Sequence, residues 1–148
     1  MGRFTGPFGE GGIGTRRAAV CLMPNEVLRS LTVAAAHETI ALVGSLPRTM
    51  AFFKIGGQLF DSGTSQAANY RAAHRAQSTR ALIAKMKIVE EESDESEFWI
   101  ECLFVAKLPP DLHHQARALQ GQFNQITRMT VAAIKTCRAR LRAESGRQ

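Results

Sequence analysis

The sequence has few of the residues that hold small domains together by covalent or metal bonds. Cysteine occurs three times in 148 residues, an odd number with no Cys-x-x-Cys spacing, at Cys21, Cys102 and Cys137. A disulfide framework needs paired cysteines, and a structural zinc site needs cysteine and histidine at short spacing. The pattern argues against both and is typical of the reducing cytoplasm, where we expect the protein to be located.

Aromatic residues and long apolar runs are also scarce. The chain has one tyrosine and one tryptophan, too few for a platform on which nucleic-acid bases stack. The longest apolar run, residues 100–106, contains Glu101 and is too short to cross a bilayer. We therefore expect no membrane partner.

Groupings that carry metal or catalytic chemistry are missing as well. A di-metal site in a helical bundle uses Glu-x-x-His pairs, and none occurs, since His37 and Glu38 are adjacent. We expect no enzymatic activity, no metal, no cofactor and no small-molecule substrate. A disfavoured alternative is an unrecognised catalytic site built from Arg71, Glu91 and Asp94.

The sequence does contain four long segments with helical periodicity. Asn25 is a good N-cap for a first helix that ends at Gly44, and a second helix is predicted over residues 48–77. Ser78 caps a third helix over residues 79–108, and Pro109 and Pro110 precede a fourth. Short loops between long helices predict an all-α, up-down-up-down four-helix bundle.

The predicted bundle domain spans residues 24–144. The glycine-rich residues 1–23 are expected to be a disordered extension, and residues 145–148 a disordered tail. Met23 is a second candidate for the first residue, because the first convincing helix begins just after it.

Each predicted helix has an apolar seam. In the first two helices the seams comprise Leu28, Leu31, Ala35 and Leu42, and then Met50, Phe53, Gly57, Leu59 and Phe60. A strict four-three spacing defines the third seam, Leu82, Met86, Val89, Ser93, Ser96, Ile100 and Leu103. The fourth seam comprises Leu112, Ala116, Leu119, Phe123, Ile126, Thr130, Ala133 and Cys137.

The third helix has a second apolar stripe off the main seam. It consists of Ile83, Ile88, Phe98, Trp99 and Phe104. A helix with two apolar stripes usually packs against a partner on each side. We therefore predict that this stripe faces another subunit.

The charge of the chain favours a polyanionic partner. The net charge is +6 and the pI about 9.8. Salt-sensitive, weakly sequence-selective binding of RNA or DNA is predicted. The candidate nucleic-acid-binding residues are Arg71, Arg75, Arg80, Lys85, Lys87, Lys135, Arg138, Arg140 and Arg142.

An acidic run occupies the middle of the third helix, at residues 90–97. Its carboxylates include pairs one helical turn apart, which repel each other and need a basic neighbour. We predict that Arg71 and Arg75 form ion pairs across the helices with Glu91, Asp94 or Glu95.

Residues 58–103 also resemble the central motif of a bacterial four-helix bundle family, first noticed as reading frames within intervening sequences of 23S ribosomal RNA genes. The first half of the motif is matched by Ser62, Gly63, Thr64, Ser65, Ala68, Asn69, Tyr70, Arg71, Ala72, Ala73, Arg75, Ala76 and Ser78. The second half is matched by Glu91, Glu92, Asp94, Glu95, Ser96, Phe98, Trp99, Ile100 and Glu101. Asp61 departs from the pattern, since the family usually has arginine there.

The resemblance implies a ring-like homopentamer without enzymatic activity. A similar protein, the accessory protein of diversity-generating retroelements, binds nucleic acid and a reverse transcriptase. The alternative is an adaptor whose acidic, apolar third helix docks a protein such as a polymerase without touching nucleic acid. If the predicted ion pairs join the two halves of the motif, the motif is a fold-specifying and assembly element. Its predicted structural residues are Ser62, Thr64, Ser65, Asn69, Tyr70, Glu91, Asp94, Glu95 and Trp99.

Overall fold

The computed structural model describes residues 25–146, which form a four-helix bundle. The helices are α1 (Glu26–Gly44), α2 (Met50–Ala73), α3 (Thr79–Val105) and α4 (His113–Ser145), and a 3-10 turn, Pro110–Leu112, precedes α4. Helices α1 and α3 each pack against both α2 and α4. The predicted up-down-up-down bundle is confirmed. The predicted extension, residues 1–23, and the end of the predicted tail, residues 147–148, lie outside the described residues.

Side-chain caps set where the helices begin. The Asn25 side chain accepts a hydrogen bond from the Val27 backbone N–H at 2.8 Å, and Ser78 accepts one from Ala81 at 3.1 Å, as predicted. Thr49, which was not predicted as a cap, accepts one from Phe52 at 3.3 Å. Each cap satisfies a backbone donor that has no partner within its helix.

Helix α3 ends three residues before the predicted boundary because the chain turns at Lys107. This residue has a φ of 64°, in the left-handed region. The Lys107 and Leu108 backbone N–H groups donate back to the carbonyls of Phe104 and Leu103, each at 3.0 Å. Such a left-handed turn closes the helix C-terminus without glycine.

The predicted seams of α3 and α4 lie in the core, with one correction. All seven α3 residues are buried, and they are the only residues of that helix that are. In α4 the buried residue after Thr130 is Ile134, whereas the predicted Ala133 is only half-buried, as is Leu112 in the 3-10 turn before the helix. From Thr130 the next buried residue is four positions further on instead of three, because a helix with 3.6 residues per turn drifts away from an exact seven-residue repeat.

The predicted seam of α2 is largely wrong, and that of α1 is mostly right but incomplete. Met50, Phe53, Gly57 and Phe60 are exposed, and α2 instead buries Phe52, Gly56, Leu59, Ser62, Gly63, Gln66, Tyr70 and Ala73. In α1 Leu31 is half-buried, and the buried set is Leu28, Thr32, Ala35, Ala36, Thr39 and Leu42. Small and hydroxyl residues fill this interface, so helix backbones approach closely there and large apolar side chains remain outside.

The second stripe of α3 is mostly covered by the chain itself. Ile83, Trp99 and Phe104 are partly buried against the core. Phe98 is 52 % exposed. Ile88 is half-buried as well, so Phe98 is the one exposed residue of the five in this stripe. A contact of the stripe with another subunit stays a prediction.

Helix α1 is long and apolar enough, by length and composition alone, to cross a membrane. Its residues Leu28, Ala35 and Leu42 lie in the core of the bundle. Because the core helix of a soluble protein has the same composition, this is weak evidence for a membrane span.

Helices α1 and α2 approach each other closely at Gly63. A Cβ atom there would lie 2.6 Å from Thr39 Oγ1 and 2.8 Å from Thr39 Cγ2. Thr39 is fully buried, and its hydroxyl donates to the Ala35 carbonyl at 2.7 Å. The side chain has no free space into which it could move.

We therefore expect Gly63→Ala to destabilise the bundle by about 1–3 kcal/mol through overpacking. The matched control is Gly121→Ala, on the exposed side of α4, where the added methyl meets nothing within 4 Å. That change should stabilise by about 0.5–1 kcal/mol through helix propensity. Urea unfolding followed by circular dichroism measures both. Equal effects of the two substitutions would contradict the close approach.

Candidate functional site

The antiparallel topology brings four helix termini to one end of the bundle. These are the N-termini of α1 and α3 and the C-termini of α2 and α4. The Tyr70 hydroxyl donates to the Asn25 carbonyl at 3.2 Å, which joins the end of α2 to the start of α1. Lys85 Nζ lies 3.4 Å from Asn69 Oδ1, which joins the end of α2 to the start of α3.

The α3–α4 register adds the end of α4 to this group. Gln120 Nε2 donates to Glu101 Oε1 at 3.5 Å, and Asn124 Nδ2 donates to Glu97 Oε2 at 3.3 Å. The two helices run antiparallel, so each turn further toward the C-terminus of α4 lies beside a turn that is further toward the N-terminus of α3. Continuing this register puts residues 135–142 of α4 beside residues 79–86 of α3.

All nine predicted nucleic-acid-binding residues lie at this end, together with Arg29, which sequence reasoning missed. We call this group the basic end: Arg29, Arg71, Arg75, Arg80, Lys85, Lys87, Lys135, Arg138, Arg140 and Arg142. Three carboxylates share the same turns, Glu26, Glu90 and Glu144. Ten cations against three anions make this end strongly positive.

Several of these cations interact with neighbouring side chains. Lys87 Nζ forms an ion pair with Glu90 Oε2 at 2.8 Å, and Arg29 forms an exposed one with Glu26 at 3.7 Å. Lys85 donates to Asn69 and is half-buried. Lys135, Arg138 and Arg142 of α4 are exposed and are better placed to meet a ligand than Lys85 and Lys87.

The predicted ion pairs between α2 and α3 are absent from the described residues. Within residues 25–146 no carboxylate lies within 4.0 Å of Arg71 or Arg75, which instead line a groove between α2 and α1. Arg71 directly follows the buried Tyr70 in the last turn of α2, and Arg75 lies two residues after the buried Ala73, in the turn beyond the helix. The prediction misjudged the direction in which their side chains leave the helix.

A polar network of the central motif joins α2 to α3 in place of those ion pairs. Ser65 Oγ donates to Glu92 Oε1 at 3.0 Å, and the hydroxyls of Ser62 and Ser96 lie 2.9 Å apart in the core. Asn69 donates to the Ser65 carbonyl at 3.0 Å and is half-buried.

Thr64 contributes little to the contacts between helices. Its hydroxyl donates to the Phe60 carbonyl at 2.8 Å, within its own helix.

The polar residue that ties α2 to α1 is Gln66, which sequence reasoning missed. Gln66 is fully buried, and its Nε2 donates to the Thr32 carbonyl at 2.8 Å. Gln66 lies four residues before Tyr70 and seven before Ala73, and this four-three spacing is the sequence signal that could have identified it as buried.

The remaining acidic residues of α3 form a separate exposed face. We call it the acidic face, and it comprises Glu91, Asp94, Glu95, Phe98 and Glu101. Glu95 Oε1 accepts a hydrogen bond from Trp99 Nε1 at 2.9 Å. Glu91 and Asp94 do not line the groove that holds Arg71, so the three residues of the catalytic alternative are not gathered in that pocket.

Burial changes the proton affinity of several groups near these surfaces. It raises the pKa of the Glu97 carboxyl, with Asp94 and Glu101 adding to the rise and the Asn124 hydrogen bond opposing it. Burial likewise raises the pKa of the Cys137 thiol, and no disulfide joins it to Cys102. Within residues 25–146 no cluster of three or more His, Cys, Asp or Glu side chains is arranged to hold a metal ion.

The buried Tyr70 and the half-buried His74 pack together beside the start of α1. Their rings meet edge to face at 5.0 Å, and Tyr70 is 1 % exposed. Burial raises the pKa of the Tyr70 phenol well above its usual range. Burial, and secondarily the nearby Arg29 guanidinium, lowers the pKa of His74. His74 Nε2 is buried with no hydrogen-bond partner among the described residues.

Comparison with known proteins supports the bundle and gives a loose family link. No protein-family model matches the chain, and none of the curated proteins matches it. Among solved structures, the chain is similar to a protein of unknown function from the S23 ribosomal protein family of Bacteroides thetaiotaomicron VPI-5482. The two share 27 % sequence identity with a TM-score of 0.68 over 74 % of this chain and 96 % of the other.

The lowered pKa of His74 makes stability depend on pH. Because the folded state holds this imidazole neutral, the unfolded chain binds more protons, and stability is lost as pH falls through the unfolded pKa. We expect the melting temperature to fall between about pH 7.5 and about pH 5.5, and His74→Gln to reduce that fall. The exposed His114→Gln is the control and should melt like the wild-type chain. An unchanged pH dependence in His74→Gln would contradict this assignment.

Proposed function

We propose that this chain is a non-enzymatic, self-associating bundle of the 23S ribosomal RNA intervening-sequence family that binds RNA or DNA through its basic end. The observation that carries the proposal is the charge of that end, where ten cations face three carboxylates. The cations come from all four helices, so they form one surface only in the folded bundle.

The geometry favours contact with phosphates over recognition of bases. Lys135, Arg138 and Arg142 are exposed near the C-terminus of α4. Guanidinium and ammonium groups bind backbone phosphates and release counterions, which gives affinity with little sequence information. Tyr70 is buried and Trp99 is half-buried, so neither offers a free ring face for stacking at the basic end.

The family assignment within this proposal is supported by two agreeing lines. The central motif follows the family pattern over residues 58–103, and the solved relative of the S23 ribosomal protein family covers most of the bundle. The function of that relative is unknown. The nucleic-acid partner is therefore argued from the charges of this chain.

We expect the paired substitution Lys135→Gln with Arg138→Gln to weaken binding of a fluorescein-labelled single-stranded RNA. Losing two phosphate contacts should lower the slope of log K against log salt by about 1.4. The control is Arg48→Gln with Lys54→Gln, which removes the same charge from exposed positions at the other end of the bundle. Fluorescence anisotropy at several salt concentrations, with duplex DNA as a second probe, measures both pairs.

A wild-type chain that binds neither RNA nor DNA at low salt would overturn the proposal. The adaptor alternative would then gain weight, because the acidic face carries carboxylates without ion-pair partners in the described chain beside the exposed Phe98. An adaptor should hold a protein partner after nuclease treatment, and Phe98→Ser should release it.

Self-association is supported by apolar residues on the outside of α2. Met50 and Phe53 are 74 % and 75 % exposed, and Phe60 is 41 % exposed. They border a depression of about 750 Å³ whose walls include Leu46 and Pro47 of the α1–α2 loop. Contiguous apolar surface of this kind on a monomer marks a contact with another molecule, and a ring-forming homo-oligomer covers it in every copy.

We expect Phe53→Ser to lower the mass measured by light scattering toward the 16.2 kDa of a single chain. The matched control is Val105→Ser, which changes an apolar residue that is 84 % exposed at the C-terminus of α3 and does not line the depression. The control should keep the wild-type mass, and both variants should keep their helical circular dichroism. A wild-type chain that is monomeric at high concentration would contradict self-association.

A further inference from the structure

We propose that the groove between α1 and α2 is a phosphate-binding subsite, in which Arg29, Arg71 and Arg75 hold a phosphate group. The inference rests on the proposed function, because the three arginines of this groove belong to the basic end. It goes further by assigning Arg71 and Arg75 a ligand of defined chemistry in a defined place.

The groove exists because its facing walls carry small side chains. Ala36 of α1 and Ala67 and Ala68 of α2 line it, and none of them reaches across the space between the helices. Thr32 and Tyr70 lie beneath, both buried in the bundle. The resulting groove has a volume of about 650 Å³, within the usual range of ligand sites.

Basic side chains line this space from both helices. Arg29 and His37 stand two turns apart on α1, Arg71 stands in the last turn of α2, and Arg75 lies in the turn just beyond that helix, after His74. Among the described residues no carboxylate lines the groove, and Glu26 forms an exposed ion pair with Arg29 at 3.7 Å. Three guanidinium groups therefore face one carboxylate.

The unpaired state of Arg71 and Arg75 is informative because carboxylates are abundant on the next helix. Glu92 of α3 bonds instead to Ser65, and the acidic face points away from α1. Each guanidinium offers several N–H donors in a planar fork that fits two phosphate oxygens at once. A phosphate in the groove would supply the acceptors that the rest of the described chain does not.

Two sources of phosphate fit this chemistry, a backbone phosphate of bound nucleic acid and a free phosphoanion. The probes are therefore a labelled single-stranded RNA, followed by anisotropy, and inorganic pyrophosphate, followed by calorimetry. Arg71→Gln with Arg75→Gln is the test pair, and Lys135→Gln with Arg138→Gln removes the same charge from α4 outside the groove. Arg71→Lys with Arg75→Lys keeps the charge but removes the planar fork.

We expect pyrophosphate to bind the wild-type chain and the α4 pair alike, and the groove pair about tenfold more weakly. The lysine pair should fall between them. Binding of RNA that pyrophosphate competes away, and that the groove pair weakens, assigns the backbone phosphate as a ligand. If pyrophosphate binds as described and RNA does not, the groove holds a free phosphoanion and the proposed function is wrong.

The phosphate subsite can also prove wrong while the proposed nucleic-acid binding remains right. If RNA binds, pyrophosphate does not, and the groove pair retains RNA as well as the wild-type chain does, the subsite is overturned while the proposed function stands. Thermal unfolding by circular dichroism checks that each pair is folded, and the exposed positions of Arg71 and Arg75 make loss of the fold unexpected.

Discussion

The contact of Gly63 with Thr39 fixes how α1 meets α2, and the surfaces of the molecule follow from it. Thr39 occupies the space that a side chain at residue 63 would need. With Gly63 on the inner face, the four-three series Gly56, Leu59, Gly63, Gln66, Tyr70 and Ala73 must point inward. The helix has no freedom to rotate without pushing a larger side chain against Thr39.

That rotation decides what α2 shows on its other sides. Phe53 and Phe60 face outward as an apolar surface, and Arg71 and Arg75 point toward the groove beside α1. Three features thus have one cause: a tight small-residue seam, an uncovered apolar stripe and a groove lined by guanidinium groups. A seam of leucines would hold α1 and α2 further apart and would alter the width of the groove.

The sequence predicted α3 and α4 better than α1 and α2 for a physical reason. The seam of α3 is marked mainly by large apolar residues such as Met86 and Ile100, which stand out against charged neighbours. The true seams of α1 and α2 keep the same spacing but pass through threonine, glycine and glutamine, while Met50 and Phe53 offer a false apolar alternative. The ion pairs predicted for Arg71 failed because spacing along one helix does not tell which neighbouring helix a side chain meets.

The separation of charge along α3 determines whether the basic end acts on its own. Glu101 lies fourteen residues beyond Lys87, about 21 Å along the helix axis at 1.5 Å per residue. The Debye length at physiological ionic strength is about 8 Å, so the far part of the acidic face barely weakens the field at the basic end. Glu90 is near enough to matter, and it is already paired with Lys87. The positive potential is thus strongest at the exposed cations of α4 and in the groove beside α1, where Glu144 and Glu26 respectively are the single carboxylates that share the same turns among the described residues.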